Sequence, residues 1–232
     1  MPEMALLEIG VEDLPPSFVG EALGQLKEKG EELFASAYLD YEGINTFGSS
    51  QRLVFQVVGL SSHQRERIDK EMGPPQKVVF DEAGRLTPKG RAFLKAKGVK
   101  KEELGIEKLE KGSYVYIKRK KISQPTEKLL PSLFRELIKS IHFPKSMRWE
   151  REDFPFGRPI RSILALFGGK LIKFEIAGVS SYRKTRGHRF LSPSYFSVPT
   201  AQEYFSLLKK NYVIVDPEER KKLILRQIKK IT

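Results

Sequence analysis

The chain has 232 residues, of which 40% are hydrophobic and 31% are charged, the balance of an ordinary soluble globular protein with a sizeable core. No apolar run approaches the eighteen residues of a membrane-spanning helix, and the first residues lack the basic start of a secretory signal. The absence of cysteine excludes disulfides and thiolate metal sites and is compatible with a reducing compartment, so we expect a cytoplasmic protein.

Charge is distributed unevenly along the chain. The net charge is +13, yet residues 1–50 contain ten acidic residues against two lysines, so the remainder carries +21. An alternative explanation is thermal stability, because proteins of thermophiles often have surfaces rich in lysine and glutamate. Lysines that serve only solubility or thermal stability would, however, be scattered rather than concentrated in one part of the chain. The pattern therefore favours a polyanionic partner, such as a nucleic acid, for the later part of the chain.

In the first third of the chain, apolar runs predict strands and one amphipathic run predicts a long helix. The helix begins at Ser17, and Gly20, Gly24 and Gly30 within it indicate close packing or a break near Gly30. The predicted strands cover residues 4–9, 53–60 and 77–80.

Glu8, Glu12 and Asp13 form an acidic group between the first strand and this helix. Carboxylates so spaced suit a metal or ammonium ion, whereas a solvated turn is the commoner role. We favour the turn and keep the ion site as an alternative.

Further along, a helix is predicted from the Thr87 cap and Pro88 to Gly98. Residues 113–118 alternate and lead into three cations, which predicts an exposed edge strand. The strongest helical period lies between Leu129 and Ile141. Pro131 fits only a first turn, so this helix should begin near residue 127.

The last third predicts a hairpin followed by small elements. Residues 162–167 and 170–176 form its strands, joined by Gly168-Gly169. A modest helix at 199–208 and a strand at 212–215 follow. A capping box at Asp216 then starts a basic helix that runs to residue 232 without a C-cap, so this last helix looks truncated.

Cations and aromatic residues interleave in two clusters on either side of the hairpin, within residues 143–161 and 182–190. Arginine offers a bidentate fork for phosphate, and aromatic rings stack on bases. The candidate nucleic-acid-binding residues are Lys145, Arg148, Arg158, Arg161, Arg183, Arg186, His188 and Arg189.

Several of these cluster residues have structural alternatives. Arg158 and Arg161 are also suited to structural ion pairs with acids such as Asp153 or Glu175. Trp149 suits core or hinge packing, and His188 suits hydrogen bonds that hold its loop. No phosphate loop, GxSxG elbow or HExxH motif occurs, so we expect no catalytic residue and no metal site.

Four separated motifs, in this order, resemble the bacterial glycyl-tRNA synthetase beta subunit family. They are LLEIGVEDLPP at residues 6–16, FPKSMRW at 143–149, RPIR at 158–161 and TRGHRF at 185–190. The chain departs from the family where Ser49-Ser50-Gln51-Arg52-Leu53 replaces a Thr-Pro-Arg-Arg-Leu run, and where Ser162 replaces a frequent tryptophan.

The resemblance implies an alpha2/beta2 enzyme. Its alpha subunit forms glycyl-adenylate with ATP and Mg, and its beta subunit binds tRNA-Gly for the transfer step. The chain would then be the N-terminal portion of the beta subunit, with tRNA-Gly and the alpha subunit as partners, no membrane or DNA, and no cofactor of its own. The implied fold is α+β, with mixed or antiparallel sheets and packed helices, similar to the B3/B4 module of phenylalanyl-tRNA synthetase beta subunits.

We predict two lobes: an acidic N-terminal lobe, residues 1–60, that contributes strands and a helix to the sheet, and a basic α+β lobe, residues 61–232, that presents the arginine loops. The main hypothesis is that these loops contact tRNA and support subunit architecture. One alternative is a purely architectural role, in which the loops dock on the acidic lobe or on the alpha subunit. Another is a vestigial editing-type pocket for a small molecule.

Overall fold

The computed structural model describes residues 2–110, 112–148 and 154–231; Trp149 and Asp153 lie outside the described residues. The strands, in chain order, are β1 (Glu3–Val11), β2 (Gly43–Ser49), β3 (Arg52–Leu60), β4 (Arg67–Pro75), β5 (Leu104–Leu109), β6 (Gly112–Lys121), β7 (Met147–Arg148), β8 (Pro155–Phe156), β9 (Ile160–Phe167), β10 (Lys170–Leu171), β11 (Glu175–Ile176), β12 (Val179–Tyr182), β13 (Lys184–Arg186) and β14 (Tyr195–Ser197).

The α-helices are α1 (Pro16–Ser36), α2 (Gln76–Val79), α3 (Pro88–Lys97), α4 (Thr126–Lys139), α5 (Tyr204–Lys210) and α6 (Pro217–Ile231). Two short 3₁₀ turns, Lys101–Glu103 and Ala201–Glu203, precede β5 and α5. The fold is therefore α+β, as predicted.

The chain forms two compact units. The larger comprises residues 1–64 and 124–232, and the smaller comprises residues 65–123. This division differs from the predicted boundary at residue 60. Strands on both sides of that boundary, β1 and β9, pair along their length, so the predicted acidic and basic lobes both contribute strands to one sheet.

A seven-stranded sheet forms the centre of the larger unit, in the order β11-β12-β9-β1-β3-β2, with β10 added to β9. Its pairings are antiparallel except for the parallel pair of β12 and β9, so the sheet is mixed. β1 lies between β3 and β9 and is covered on both faces, which explains its nearly continuous apolar sequence.

The two faces of β1 lie in two separate hydrophobic clusters. Ala5, Leu7 and Ile9 belong to the cluster that includes buried residues of α1 and α4. Leu6 belongs to the other, with Tyr204 and other residues around α5. Side chains alternate along a strand, so Glu8 lies on the Leu6 face, within this second layer.

The smaller unit is an antiparallel sheet in the order β4-β6-β5, with α2 and α3 beside it. Its helix α3 confirms the predicted caps: Thr87 Oγ1 accepts a hydrogen bond from Gly90 N at 2.9 Å, and Gly98 ends the helix with φ 63°. The prediction of an edge strand at 113–118 is wrong, because β6 is the central strand.

Two other local predictions are corrected, and one predicted alternative is decided. Residues 77–80 lie mainly in the short helix α2, because Pro74 and Pro75 end β4 and Val79 turns inward. Residues 213–216 have no regular secondary structure, although Val215 is buried against the second cluster. Helix α1 continues through Gly30, so of the two predicted alternatives the structure confirms close packing rather than a break.

Candidate functional site

The acidic group and the arginine motifs meet at the C-terminal end of β1, where they line a cleft of about 730 Å³. Strand β1 brings Glu8 and leads into Glu12 and Asp13, and β9 begins just after Arg158. Strand β13 brings Thr185 and Arg186 from the far end of the sequence. The cleft is lined by Glu8, Gly10, Val11, Glu12, Asp13, Gln51, Arg52, Arg158, Arg161, Ser162, Thr185, Arg186, Arg189, Phe190 and Tyr195.

A buried ion pair forms the floor of the cleft. Glu8 is 2% exposed and Arg52 is 5% exposed, with 3.4 Å between Arg52 Nη1 and Glu8 Oε2. Thr185 Oγ1 donates to Glu8 Oε1 at 2.6 Å, and the Tyr204 hydroxyl donates to Glu8 Oε2. Every contact of this carboxylate thus comes from a segment distant in sequence.

Arg52 extends this network to the TRGHRF loop, because its Nη2 donates to the Arg186 carbonyl oxygen at 2.8 Å. Burial opposes the charge on Arg52, yet the Glu8 carboxylate and Tyr204 hold the Arg52 pKa above its ordinary value. Burial and then Glu8 raise the pKa of Tyr204 well above its ordinary value, so the phenol remains a donor. Arg52 Nε has no hydrogen-bond partner among the described residues.

The rim of the cleft is a set of exposed acid–arginine contacts. Asp13 accepts two hydrogen bonds from Arg189 Nη2, at 2.8 and 3.1 Å, and Glu12 pairs with Arg161. Arg158 Nε donates to the Asp13 carbonyl oxygen at 3.2 Å. The predicted partner Glu175 lies elsewhere, where its own carbonyl accepts from Arg135.

Two further predicted arginines, Arg183 and Arg186, donate to backbone carbonyl oxygens. Arg183 donates to the carbonyl oxygens of Pro199 and Gly169, both at 3.0 Å, and so braces the hairpin turn. Arg186 donates to the Pro193 carbonyl at 3.0 Å, and its guanidinium lies 5.9 Å from the centre of the Tyr195 ring. Lys145 and Arg148 lie on an exposed segment and do not line the cleft.

His188 holds its own loop, in agreement with the structural role considered from sequence. Its Nδ1 accepts from the backbone nitrogens of Phe190 and Leu191, at 3.3 and 3.2 Å, and its own backbone nitrogen donates to Asn211 O at 2.9 Å. The ring proton is therefore assigned to Nε2.

The Glu8–Arg52 pair is the part of the site that sequence reasoning missed. The signal that could have revealed it is a charged residue inside an otherwise apolar strand, because a buried carboxylate requires a partner. Gln51 also lines the cleft, and its side chain helps to lower the pKa of Asp13.

The Asp13–Arg189 contact gives a testable pH effect. The hydrogen bond from Arg189, helped by Gln51, lowers the pKa of Asp13 below 3.8. We expect Arg189→Gln to raise this pKa toward 3.8, measured by NMR titration of the carboxyl carbon, with Arg183→Gln as the control. An unchanged Asp13 pKa in Arg189→Gln would contradict the contact.

The sign of the stability effect follows from the direction of the shift. Because folding lowers the pKa of Asp13, the ionised carboxylate stabilises the folded protein at pH values above the pKa that Asp13 has in the unfolded chain. This stabilisation is lost as the pH falls through the pKa that Asp13 has in the folded protein. Since the Asp13 and Arg189 side chains are 57% and 46% exposed, the contribution is below about 1 kcal/mol.

The described residues contain no group of three or more His, Cys, Asp or Glu side chains placed to hold a metal ion, and no helix among them is long and apolar enough to cross a membrane. Each of the three acids contacts an arginine: Glu8 contacts Arg52, Glu12 contacts Arg161, and Asp13 contacts Arg189.

Comparison with known proteins defines the class. A family model described as "Glycyl-tRNA synthetase beta subunit" matches residues 5–232. Curated glycine–tRNA ligase beta subunits from Desulforamulus reducens and Clostridioides difficile are 38% and 37% identical over 97% and 98% of this chain. That of Thermodesulfovibrio yellowstonii is 38% identical over 97%.

These matches place the chain among the subunits of aminoacyl-tRNA synthetases. It belongs to the glycyl-tRNA synthetase beta subunit family. The chain spans about a third of the length of these curated relatives, 32% to 33% of each.

Proposed function

We propose that the chain acts as the N-terminal part of a beta subunit that, with an alpha subunit, attaches glycine to tRNA-Gly. The family match over residues 5–232 carries this proposal. In this scheme the alpha subunit uses ATP and Mg to form glycyl-adenylate, and the two subunits assemble as an alpha2/beta2 tetramer in the cytoplasm. We further propose that this part of the subunit has a binding and architectural role.

Within that role, we propose that the basic loops contact the phosphates of tRNA. The cleft contacts divide the candidate residues into two groups. Arg158, Arg161 and Arg189 contact the acidic group, so they primarily hold the basic loops in position. Lys145 and Arg148 lie on an exposed segment outside the cleft lining, and we propose both as phosphate contacts.

The architectural alternative has its own support. The acid–arginine contacts join three motifs that are distant in sequence. Motifs whose role is to hold the fold together would make such contacts with one another. The B3/B4-like fold is a further part of our proposal, supported by the mixed sheet with helices on it. A cleft lined by both charge signs also suits a small zwitterion, the kind of ligand that an editing-type pocket would accept.

Filter binding of tRNA-Gly over a salt series tests the phosphate contacts. We expect affinity to fall steeply with salt, and Lys145→Gln/Arg148→Gln to make the log–log slope shallower by about two units, roughly one for each cation. The matched control is Lys27→Gln/Lys139→Gln, which removes the same charge from exposed positions on α1 and α4. A flat salt profile for the unaltered chain would exclude these contacts.

A second comparison separates binding from architecture. If Arg161→Gln leaves the salt slope unchanged but lowers the melting temperature, Arg161 serves the fold. Glycylation of tRNA-Gly by the full-length beta subunit carrying each variant, assembled with its alpha subunit, then tests the activity itself.

A further inference from the structure

The smaller unit carries a sheet face that the cleft does not explain. In β6, Val115 and Ile117 are buried, whereas Tyr114 and Tyr116 are half-buried and Lys118 is exposed. Because side chains alternate along a strand, the tyrosines and Lys118 lie on the face opposite Val115. Helix α3 packs on the Val115 side, where a side chain on Gly73 would lie 2.7 Å from Phe93 Cζ and 3.0 Å from Val115 Cγ2.

The Tyr116 ring lies against the neighbouring strand β5. Gly105 is paired with Tyr116, and a Cβ atom at residue 105 would lie 2.5 Å from Tyr116 Cε1. The absence of a side chain at Gly105 therefore gives the ring room to lie over the β5 backbone. An aromatic ring held on the open face of a sheet is the arrangement on which RNA-binding domains stack unpaired bases.

Cations and apolar side chains surround this ring on the paired strand β4. Lys70 lies opposite Lys118, and its Nζ is 4.9 Å from the centre of the Tyr116 ring. Ile68 and Met72, the alternate residues on each side of Lys70, are 65% and 44% exposed. Aromatic, apolar and cationic groups are thus interleaved on one exposed face.

The charge of the unit favours a polyanion. Residues 65–123 contain seventeen lysines and arginines against nine acids, a net charge of +8. Two carboxylates lie at the face: Lys70 Nζ is 3.0 Å from each Glu107 oxygen, and Lys120 Nζ is 2.6 Å from Glu66 Oε2. Both pairs are at least one-third exposed, so a phosphate oxygen can compete for either lysine.

We propose that this open face, which we call the β6 face (Ile68, Lys70, Met72, Tyr114, Tyr116 and Lys118), binds single-stranded RNA. In the bound state a base stacks on Tyr116, and Lys70 exchanges Glu107 for a backbone phosphate. This inference depends on the proposed function at one point: the natural ligand is taken to be unpaired nucleotides of tRNA. It adds a second RNA contact, in a different unit from the arginine loops.

Fluorescence anisotropy with the whole 232-residue chain and a labelled single-stranded RNA of about ten nucleotides tests the β6 face. We expect Tyr116→Ala to weaken binding about tenfold, the effect of losing one stacked base, and Tyr116→Phe to keep the affinity. Lys70→Gln should weaken binding and make the salt slope shallower by about 0.7, whereas Lys95→Gln, the same charge change on α3, should have a smaller effect.

Glu107→Gln gives a result of opposite sign. Removing the carboxylate that holds Lys70 should tighten RNA binding about threefold, the size of an exposed ion pair's effect. Loss of folding cannot tighten binding, so this variant separates RNA contact from structural damage.

Several results would overturn the inference: unaltered affinity in Tyr116→Ala, equal effects of Lys70→Gln and Lys95→Gln, or equal affinity for a duplex RNA of the same length. Weakened association with the alpha subunit in Tyr116→Ala, with RNA binding unaltered, would make the face a protein interface and also overturn it. If tRNA-Gly affinity depends on Lys145 and Arg148 but not on Tyr116, the proposal that the β6 face binds RNA is wrong, whereas the proposed function is retained. If the chain binds no tRNA, the proposed tRNA contact of the basic loops is wrong. The single-stranded RNA probe then still shows whether the β6 face binds RNA.

Discussion

Glu8→Ala is expected to lower the free energy of unfolding by about 3–5 kcal/mol, measured by urea denaturation followed by circular dichroism. The substitution leaves the buried guanidinium of Arg52 without its carboxylate. It also removes the acceptor for the Thr185 and Tyr204 hydroxyls, both of which belong to buried residues. The loss should therefore exceed that of any pair on the rim of the cleft.

Two further variants test this explanation. Glu12→Ala removes an exposed acid from Arg161 and should cost less than about 1 kcal/mol. Glu8→Leu/Arg52→Leu removes both charges and should cost less than the sum of the two single changes, since neither partner then remains buried alone. A loss below 1 kcal/mol in Glu8→Ala would mean that water reaches Arg52 in the folded protein.

Gly30→Ala is expected to lower the free energy of unfolding by about 2 kcal/mol, again by urea denaturation. Gly30 is buried in the middle of α1, and an added Cβ would lie 2.6 Å from Cζ of Phe55. Phe55 is only 1% exposed, and its ring centre lies 5.8 Å from that of Phe34, so it has little room to move. Overpacking of this kind costs about 1–3 kcal/mol and outweighs the gain in helix propensity.

The same helix supplies matched controls for this prediction. No atom lies within 4 Å of a Cβ added at Gly20 or Gly24. Gly20→Ala and Gly24→Ala should therefore raise stability by about 0.5–1 kcal/mol each, because alanine restricts the unfolded chain and favours the helix. Stabilisation by all three substitutions would contradict close packing at Gly30.

Much of the fold was predictable from local patterns in the sequence. The α4 period, the Thr87 and Gly98 caps and the Asp216 cap each depend on residues within a few positions of one another. The structure confirms them, since Asp216 Oδ1 accepts from the backbone nitrogen of Glu218 at 2.9 Å. At Gly30 the sequence left close packing and a helix break as alternatives, because the deciding contact, with Phe55, is distant in sequence.

The candidate site was predictable as a set of residues but not as an arrangement. The sequence pattern identified an acidic group and two cationic clusters. No local pattern predicts that Asp13 contacts Arg189, which lies 176 positions away. The pairing of β1 with β9 and the position of β13 create that contact. Arg52 was passed over because its partner Glu8 lies 44 positions away, across the β1–β3 pair.

The smaller unit leaves and rejoins the larger one at a single place. Gln64 N donates to Gln124 O at 3.1 Å, Thr126 Oγ1 donates to Ser61 O at 2.5 Å, and His63 forms a β-bridge with Pro125. No strand of residues 65–123 belongs to the seven-stranded sheet. Covalently, these 59 residues are a long insertion in the loop between β3 and α4. Such a module can be gained, lost or exchanged during evolution without altering the register of the main sheet, and the acid–arginine cleft needs no residue from it.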